Sequence, residues 1–91
     1  MRRAARTDDN QDVIVKALRQ IGVAVEVIKK PVDLLVHYRG ETALMEVKNA
    51  DGFDRFTKDQ VEFIARWPGK IHVVRTVTEA IAVMVGKEAL A

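Results

Sequence analysis

At 91 residues the chain has room for one small domain, which buries only about two thirds of its unfolded surface and has little stability to spare. It contains no cysteine, which excludes disulfides and thiolate zinc sites and fits a reducing compartment. Fifteen Lys and Arg against thirteen Asp and Glu leave a formal net charge of +2, which permits a polyanionic partner without demanding one.

In chain order, residues 1–7 carry Arg2, Arg3 and Arg6 and read as a flexible basic arm. A polar, acidic stretch follows instead of an apolar run, so no signal peptide or membrane segment is expected and the default compartment is the cytoplasm. Thr7-Asp8-Asp9-Asn10 supplies N-cap candidates, and Val13, Ile14, Ala17, Leu18 and Ile21 recur at helical spacing, which predicts a first helix over about 9–21, stopped by Gly22. Residues 23–28 predict a short strand, and Lys29-Lys30-Pro31 breaks it; Pro31 cannot donate to a ladder and suits the start of the next strand. Two β-favouring runs, 32–38 and 41–48, flank Arg39-Gly40, and a polar loop leads on to Phe56. Thr57-Lys58-Asp59-Gln60 has the spacing of a capping box and opens a second helix, with Val61, Ile64 and Ala65 as its buried face, Phe63 and Trp67 beside it, and Pro68-Gly69 as its stop. The apolar centre of 70–75 predicts an interior strand, parallel to its neighbour through a right-handed crossover. Thr76-Val77-Thr78-Glu79 repeats the capping pattern, and Ala80, Ile81, Met84 and Val85 form a last helix that Gly86 ends, leaving 87–91 as a loose tail. The expectation is a single α/β domain over residues 1–91, ordered αβββαβα, with a mixed four-stranded sheet flanked by helices.

Chemistry concentrates in the hairpin. If Arg39 and Gly40 form a two-residue turn, Tyr38 pairs with Glu41 and Asp33 falls directly opposite Glu46. Opposed residues have Cβ atoms about 4.5–5.5 Å apart, and like charges there destabilise a sheet unless something neutralises them. A hard cation held by carboxylate oxygens would do so. Alternation places Lys48 on the same face, two residues past Glu46, and turns Val47 to the other face to pack. His37 and Thr42 share the Asp33 face, nearer the turn.

This order of elements resembles the PD-(D/E)XK nucleases with their restriction-endonuclease-like core, and Pro31-Val32-Asp33 and Glu46-Val47-Lys48 carry the resemblance. More narrowly the chain is similar to the small stand-alone VRR-NUC proteins of phages and bacteria, which are related to archaeal Holliday junction resolvases. Asn10-Gln11, Leu18-Arg19 before Gly22, Thr57 with Gln60, and Glu79-Ala80 follow in the matching order. The resemblance implies a Mg2+- or Mn2+-dependent endonuclease that hydrolyses DNA phosphodiester bonds, structure-selective on branched DNA such as four-way junctions or flaps. It implies Asp33, Glu46 and the Val47 carbonyl as metal ligands, and Asp33, Glu46, Lys48 and Gln60 as the catalytic set. Lys48 would orient or help deprotonate the attacking water and offset charge on the phosphorane-like transition state. Such nucleases usually carry a further acid on the first helix; the spacing back from Gly22 places Gln11 there, as an accessory residue, which narrows the expectation to one metal. A twofold dimer and no nucleotide cofactor are implied as well.

Several residues carry two readings. Gln60 either closes the second helix or turns toward the metal site. Lys48, taken alone, is a strand lysine paired with Glu46. Lys29, Lys30, Arg55 and Lys58 flank the site and either contact DNA phosphates or are scattered surface charges. Asn49 is a turn residue or a DNA contact, and Phe53 and Phe56 either wedge into a branch point or pack as ordinary apolar side chains. His37 and His72 receive no role. For the whole chain, the alternative to an enzyme is a DNA-binding or assembly subunit of a replication-recombination complex that does not cut.

Overall fold

The computed structural model describes residues 2–49 and 55–86. Its elements are α1 (Arg2–Gln20), β1 (Ala24–Val27), β2 (Leu34–Tyr38), β3 (Glu41–Val47), α2 (Lys58–Arg66), β4 (Ile71–Val74) and α3 (Val77–Val85). Among the described residues these make a small α/β fold with a mixed four-stranded sheet, order β1-β2-β3-β4, and three helices.

The hairpin sets the register. Arg39 and Gly40 take φ of 49° and 83°, the two positive values that let a two-residue turn follow the twist of its strands. Tyr38 therefore pairs with Glu41, and the ladder runs on to Leu34 opposite Met45. The ladder ends there, with Asp33 the residue just before Leu34 and Glu46 the residue just after Met45. β1 pairs antiparallel with β2, and β4 joins β3 in parallel, as the crossover through α2 predicts.

Alternation then sorts the side chains onto two faces. On one, Val25, Val36, Met45 and Val74 meet Ile14, Val15 and Leu18 of α1 and Ala80 of α3. On the other, a smaller cluster of Val32, Leu44 and Phe63 is flanked by Ile28, Ile64 and Ile71, with α2 as its cover.

Three expectations need correction. α1 begins at Arg2, well before the expected start near Asp9, so most of the stretch read as a basic arm is continuous with the helix. Arg and Ala are strong helix formers and nothing among them breaks the helix, which carries the Asn10 cap candidate into its interior. β4 is an edge strand and not an interior one: among the described residues β3 is its sole neighbour in the sheet, and Val73 is 44% exposed. α2 buries Phe63 with Ile64 half-buried, while Val61 and Ala65 face outward. Phe53 and the 87–91 tail lie outside the described residues. Among the described residues no helix is long and apolar enough to cross a membrane.

Candidate active site

The site lies where β2 begins and β3 ends. Asp33 sits at the close of the tight connection from β1, and its carbonyl accepts from the backbone N–H groups of Ile28 at 2.9 Å and Lys29 at 3.2 Å. Lys29 adopts φ 72° within that connection. With its carbonyl pinned, Asp33 engages Glu46 and Val47 in both directions. Its own N–H donates to Glu46 Oε1 at 3.1 Å, and the N–H of Val47 donates to Asp33 Oδ2 at 2.8 Å. The two acids predicted to oppose each other are thus interlocked through the backbone.

Electrostatics follow from that enclosure. Burial pushes the Asp33 carboxyl up to about 6, held back in part by the Val47 N–H and raised further by the Glu46 charge, with Lys48 opposing. Glu46 is buried, a costly place for a carboxylate without partners. Its partners are the Asp33 N–H, the Gln60 amide at 2.9 Å and the Lys48 ammonium at 3.3 Å.

Gln60 fills both of its sequence readings at once. Its Oε1 accepts from the Thr57 N–H at 3.2 Å while its own N–H donates to Thr57 Oγ1, which completes the capping box. Accepting at Oε1 leaves Nε2 to face the site, where it donates to Glu46 Oε2 and, at 3.3 Å, to the Pro31 carbonyl. Gln60, Phe63, Ile64 and Trp67 then lie at i, i+3, i+4 and i+7, the stripe that α2 turns to the sheet.

Asn10, Gln11, Asp33, Glu46, Val47, Lys48 and Asn49 line a cleft of about 220 Å³. Gln11 therefore lines the same cleft as the acids. Within a strand the N–H and C=O of one residue point to the same side, so the Val47 carbonyl shares the strand edge on which its N–H meets Asp33. The oxygen donors suited to a hard cation are then two carboxylates, one carbonyl and the amide of Gln11. Among the described residues no cluster of three or more His, Cys, Asp or Glu exists.

Compared with known protein families, with curated proteins and with solved structures, the chain finds no match.

The basic residues separate into different settings. Lys29 and Lys30 line a second cavity, about 630 Å³, with Thr57, Gln60 and Arg66, so Gln60 borders both this groove and Glu46. Arg55 brings its carbonyl to Lys48 Nζ at 3.1 Å. Lys58 is exposed on the first turn of α2 and lines neither cavity. His37 bonds Thr42 across the hairpin at 2.7 Å, on the acids' face but toward the turn. His72 is depressed by burial and by Lys70.

Two residues acquire contacts that their sequence context does not announce. Asn10, a cap candidate by pattern, donates from Nδ2 to the Lys48 carbonyl at 3.0 Å and so fastens α1 to the end of β3. Phe56 places its ring centroid 4.7 Å from Lys48 Nζ. The local signal for Asn10 is its adjacency to Gln11; Phe56 stands out in the sequence as a wedge or an ordinary apolar side chain on the loop after the motif, and neither reading includes its contact with Lys48.

Proposed function

We propose that the chain is a metal-dependent endonuclease that hydrolyses DNA phosphodiester bonds, with a restriction-endonuclease-like core of the VRR-NUC type. The observation that carries this reading is the interlocked pair Asp33 and Glu46, with the Lys48 ammonium 3.3 Å from Glu46 at a polar cleft. Two carboxylates side by side, one of them with its carboxyl pushed up to about 6, are a donor set that a divalent cation would relieve. Mg2+ or Mn2+ held by Asp33, Glu46 and the Val47 carbonyl would supply Lewis-acid activation of the scissile phosphate and of water.

The chain's own groups supply the remainder. Asp33 and Glu46 are preorganised by backbone hydrogen bonds, so little reorganisation opposes the reaction. Lys48 offers positive charge where the transition state gathers negative charge, and a donor to orient the attacking water. Gln60 fixes the Glu46 carboxylate, and Gln11 offers its amide from α1. Lys29 and Lys30, with Lys58 and Arg55 nearby, would hold phosphates flanking the scissile bond. Exposed Leu35 and Trp67 supply apolar surface for a twofold dimer, which would let two sites cut a branched DNA symmetrically.

A DNA-binding subunit that does not cut is the second reading, favoured by one observation: where the resemblance expects an acid, α1 brings Gln11 to the cleft, beside Asn10. A cleavage panel of linear duplex, flap, single-stranded and four-way junction DNA with Mg2+, Mn2+ or chelator separates the two. The enzyme reading expects metal-dependent cuts, strongest on a branched substrate; binding without cleavage of any member with either metal supports the subunit reading instead.

A further inference from the structure

Lys48 is unusually enclosed for a strand lysine, with a side chain only 10% exposed. Among the described residues, three groups surround its ammonium: Glu46 Oε2 at 3.3 Å, the Arg55 carbonyl at 3.1 Å and the ring of Phe56, 4.7 Å from Nζ to centroid. Arg55 and Phe56 belong to the segment that enters α2, directly ahead of the Thr57 cap. That cap is held by Gln60, whose amide also holds Glu46. Phe56 is therefore tied to the acid by a short chain of hydrogen bonds, and its place beside Lys48 is set by the same element that orients Glu46.

We infer that Phe56 is a positioning residue for Lys48, its ring face holding the ammonium at the reacting phosphate through a cation–π contact. An aromatic face attracts a cation without occupying an N–H donor. Among the described residues, the Arg55 carbonyl accepts a hydrogen bond from Lys48 and Glu46 pairs with its charge, so the ring steadies the ammonium without taking up an N–H that a non-bridging phosphate oxygen could accept from. Whenever the Glu46 charge is shared with another cation, the ion pair to Lys48 weakens, and the ring and the carbonyl become the contacts that keep the ammonium in place. The consequence for catalysis rests on the nuclease reading; the contact itself does not.

Phe56→Leu keeps apolar bulk and removes the π face, whereas Phe56→Tyr and Phe56→Trp retain it. Phe56 is 36% exposed, so the fold should tolerate all three, which a two-dimensional amide spectrum would verify. Two readouts are paired. The first, independent of activity, is the ring-current shift of the Lys48 ε-methylene protons: upfield in the wild type and lost in Phe56→Leu. The second is cleavage: kcat falls roughly tenfold in Phe56→Leu with KM for DNA nearly unchanged, and Tyr or Trp restores it. An ε-methylene shift indifferent to Phe56→Leu, or full kcat in Phe56→Leu with an active wild type, overturns the inference. A wild type that shows the ring-current shift but cuts no DNA overturns the nuclease reading, and with it the catalytic role of Phe56.

Discussion

Gln60 Nε2 lies 2.9 Å from Glu46 Oε2 while Gln60 Oε1 closes the N-terminus of α2 on Thr57. One amide thereby locks a helix start to a buried carboxylate, and its two ends can be tested separately. Gln60→Ala loses both contacts and should cost about 1 kcal/mol from the cap alone. Gln60→Glu keeps the cap acceptor but sets a carboxylate against Glu46, so it should unfold at a lower temperature than the wild type in chelator and recover on addition of Mn2+. Thermal melts with and without Mn2+ check this; equal melting temperatures in chelator would show that the Gln60–Glu46 contact contributes nothing.

The raised Asp33 carboxyl has a definite sign in pH. Its ordinary value of 3.8 is shifted to about 6 by burial and by Glu46, so the folded protein favours the protonated form. That contribution to stability is fully present below about 3.8 and is lost as pH rises through about 6. Asp33→Asn removes the dependence. In chelator, denaturant unfolding should show the variant gaining on the wild type between these limits and holding a constant lead above them. His72, depressed by burial and by Lys70, contributes stability that is present above 6.5 and falls away at lower pH, but it does so in both proteins and cancels from the difference.

Gly40 tests the register on which the acid pair depends. Its φ of 83° is costly for a residue with a Cβ, although nothing lies within 4 Å of where one would be placed. Gly40→Ala should therefore lose about 1 kcal/mol from backbone strain alone. Gly40→Asn should lose less, because asparagine tolerates the left-handed region. Cross-strand contacts between Tyr38 and Glu41 by NMR should persist in both; a shifted ladder would mean that side-chain burial does not hold the register by itself.

Asn10 and the lysine groove make two further demands. Asn10→Ala removes the bond to the Lys48 carbonyl and should cost about 1 kcal/mol in denaturant unfolding. Lys29→Glu with Lys30→Glu should weaken DNA binding similarly on all sequences and flatten the dependence of log affinity on log salt by about two. Affinity and salt slope unchanged by the double variant would remove the groove from the DNA path.

The hairpin was legible in the sequence because its information is local: Arg39-Gly40 fixes the turn, and period-two alternation carries the register from Tyr38 to Asp33. The same locality explains the two caps at Thr57 and Thr76, where Ser or Thr three residues ahead of Gln or Glu is a short-range pattern. At Thr76 the reciprocal arm is displaced, since Glu79 Oε1 accepts from the Arg75 N–H and not from the cap residue. The edge position of β4 was not legible. An apolar run such as Ile71 to Val74 is equally compatible with cover on both sides, and among the described residues β3 alone lies beside it. The buried face of α2 is not legible from apolar spacing alone, because the polar Gln60 belongs to it: once its amide faces Glu46, Phe63 and Ile64 follow it inward, while Trp67 stays 43% exposed at the end of the helix. The contacts of Asn10 and Phe56 are not legible in the sequence, because their partners, the Lys48 carbonyl and ammonium, are brought to them only by the tertiary fold.

Single-turnover cleavage of a four-way junction with Mn2+, comparing wild type with Asp33→Asn and Glu46→Gln, bears most directly on the chemistry assigned to this site. Both substitutions preserve shape, and folding is verified by their melting curves. The expected result is metal-dependent cleavage by the wild type, silenced by chelator and reduced at least a hundredfold in each variant. Cleavage that persists in both variants at the wild-type rate would place the reaction elsewhere and contradict the assignment of Asp33 and Glu46.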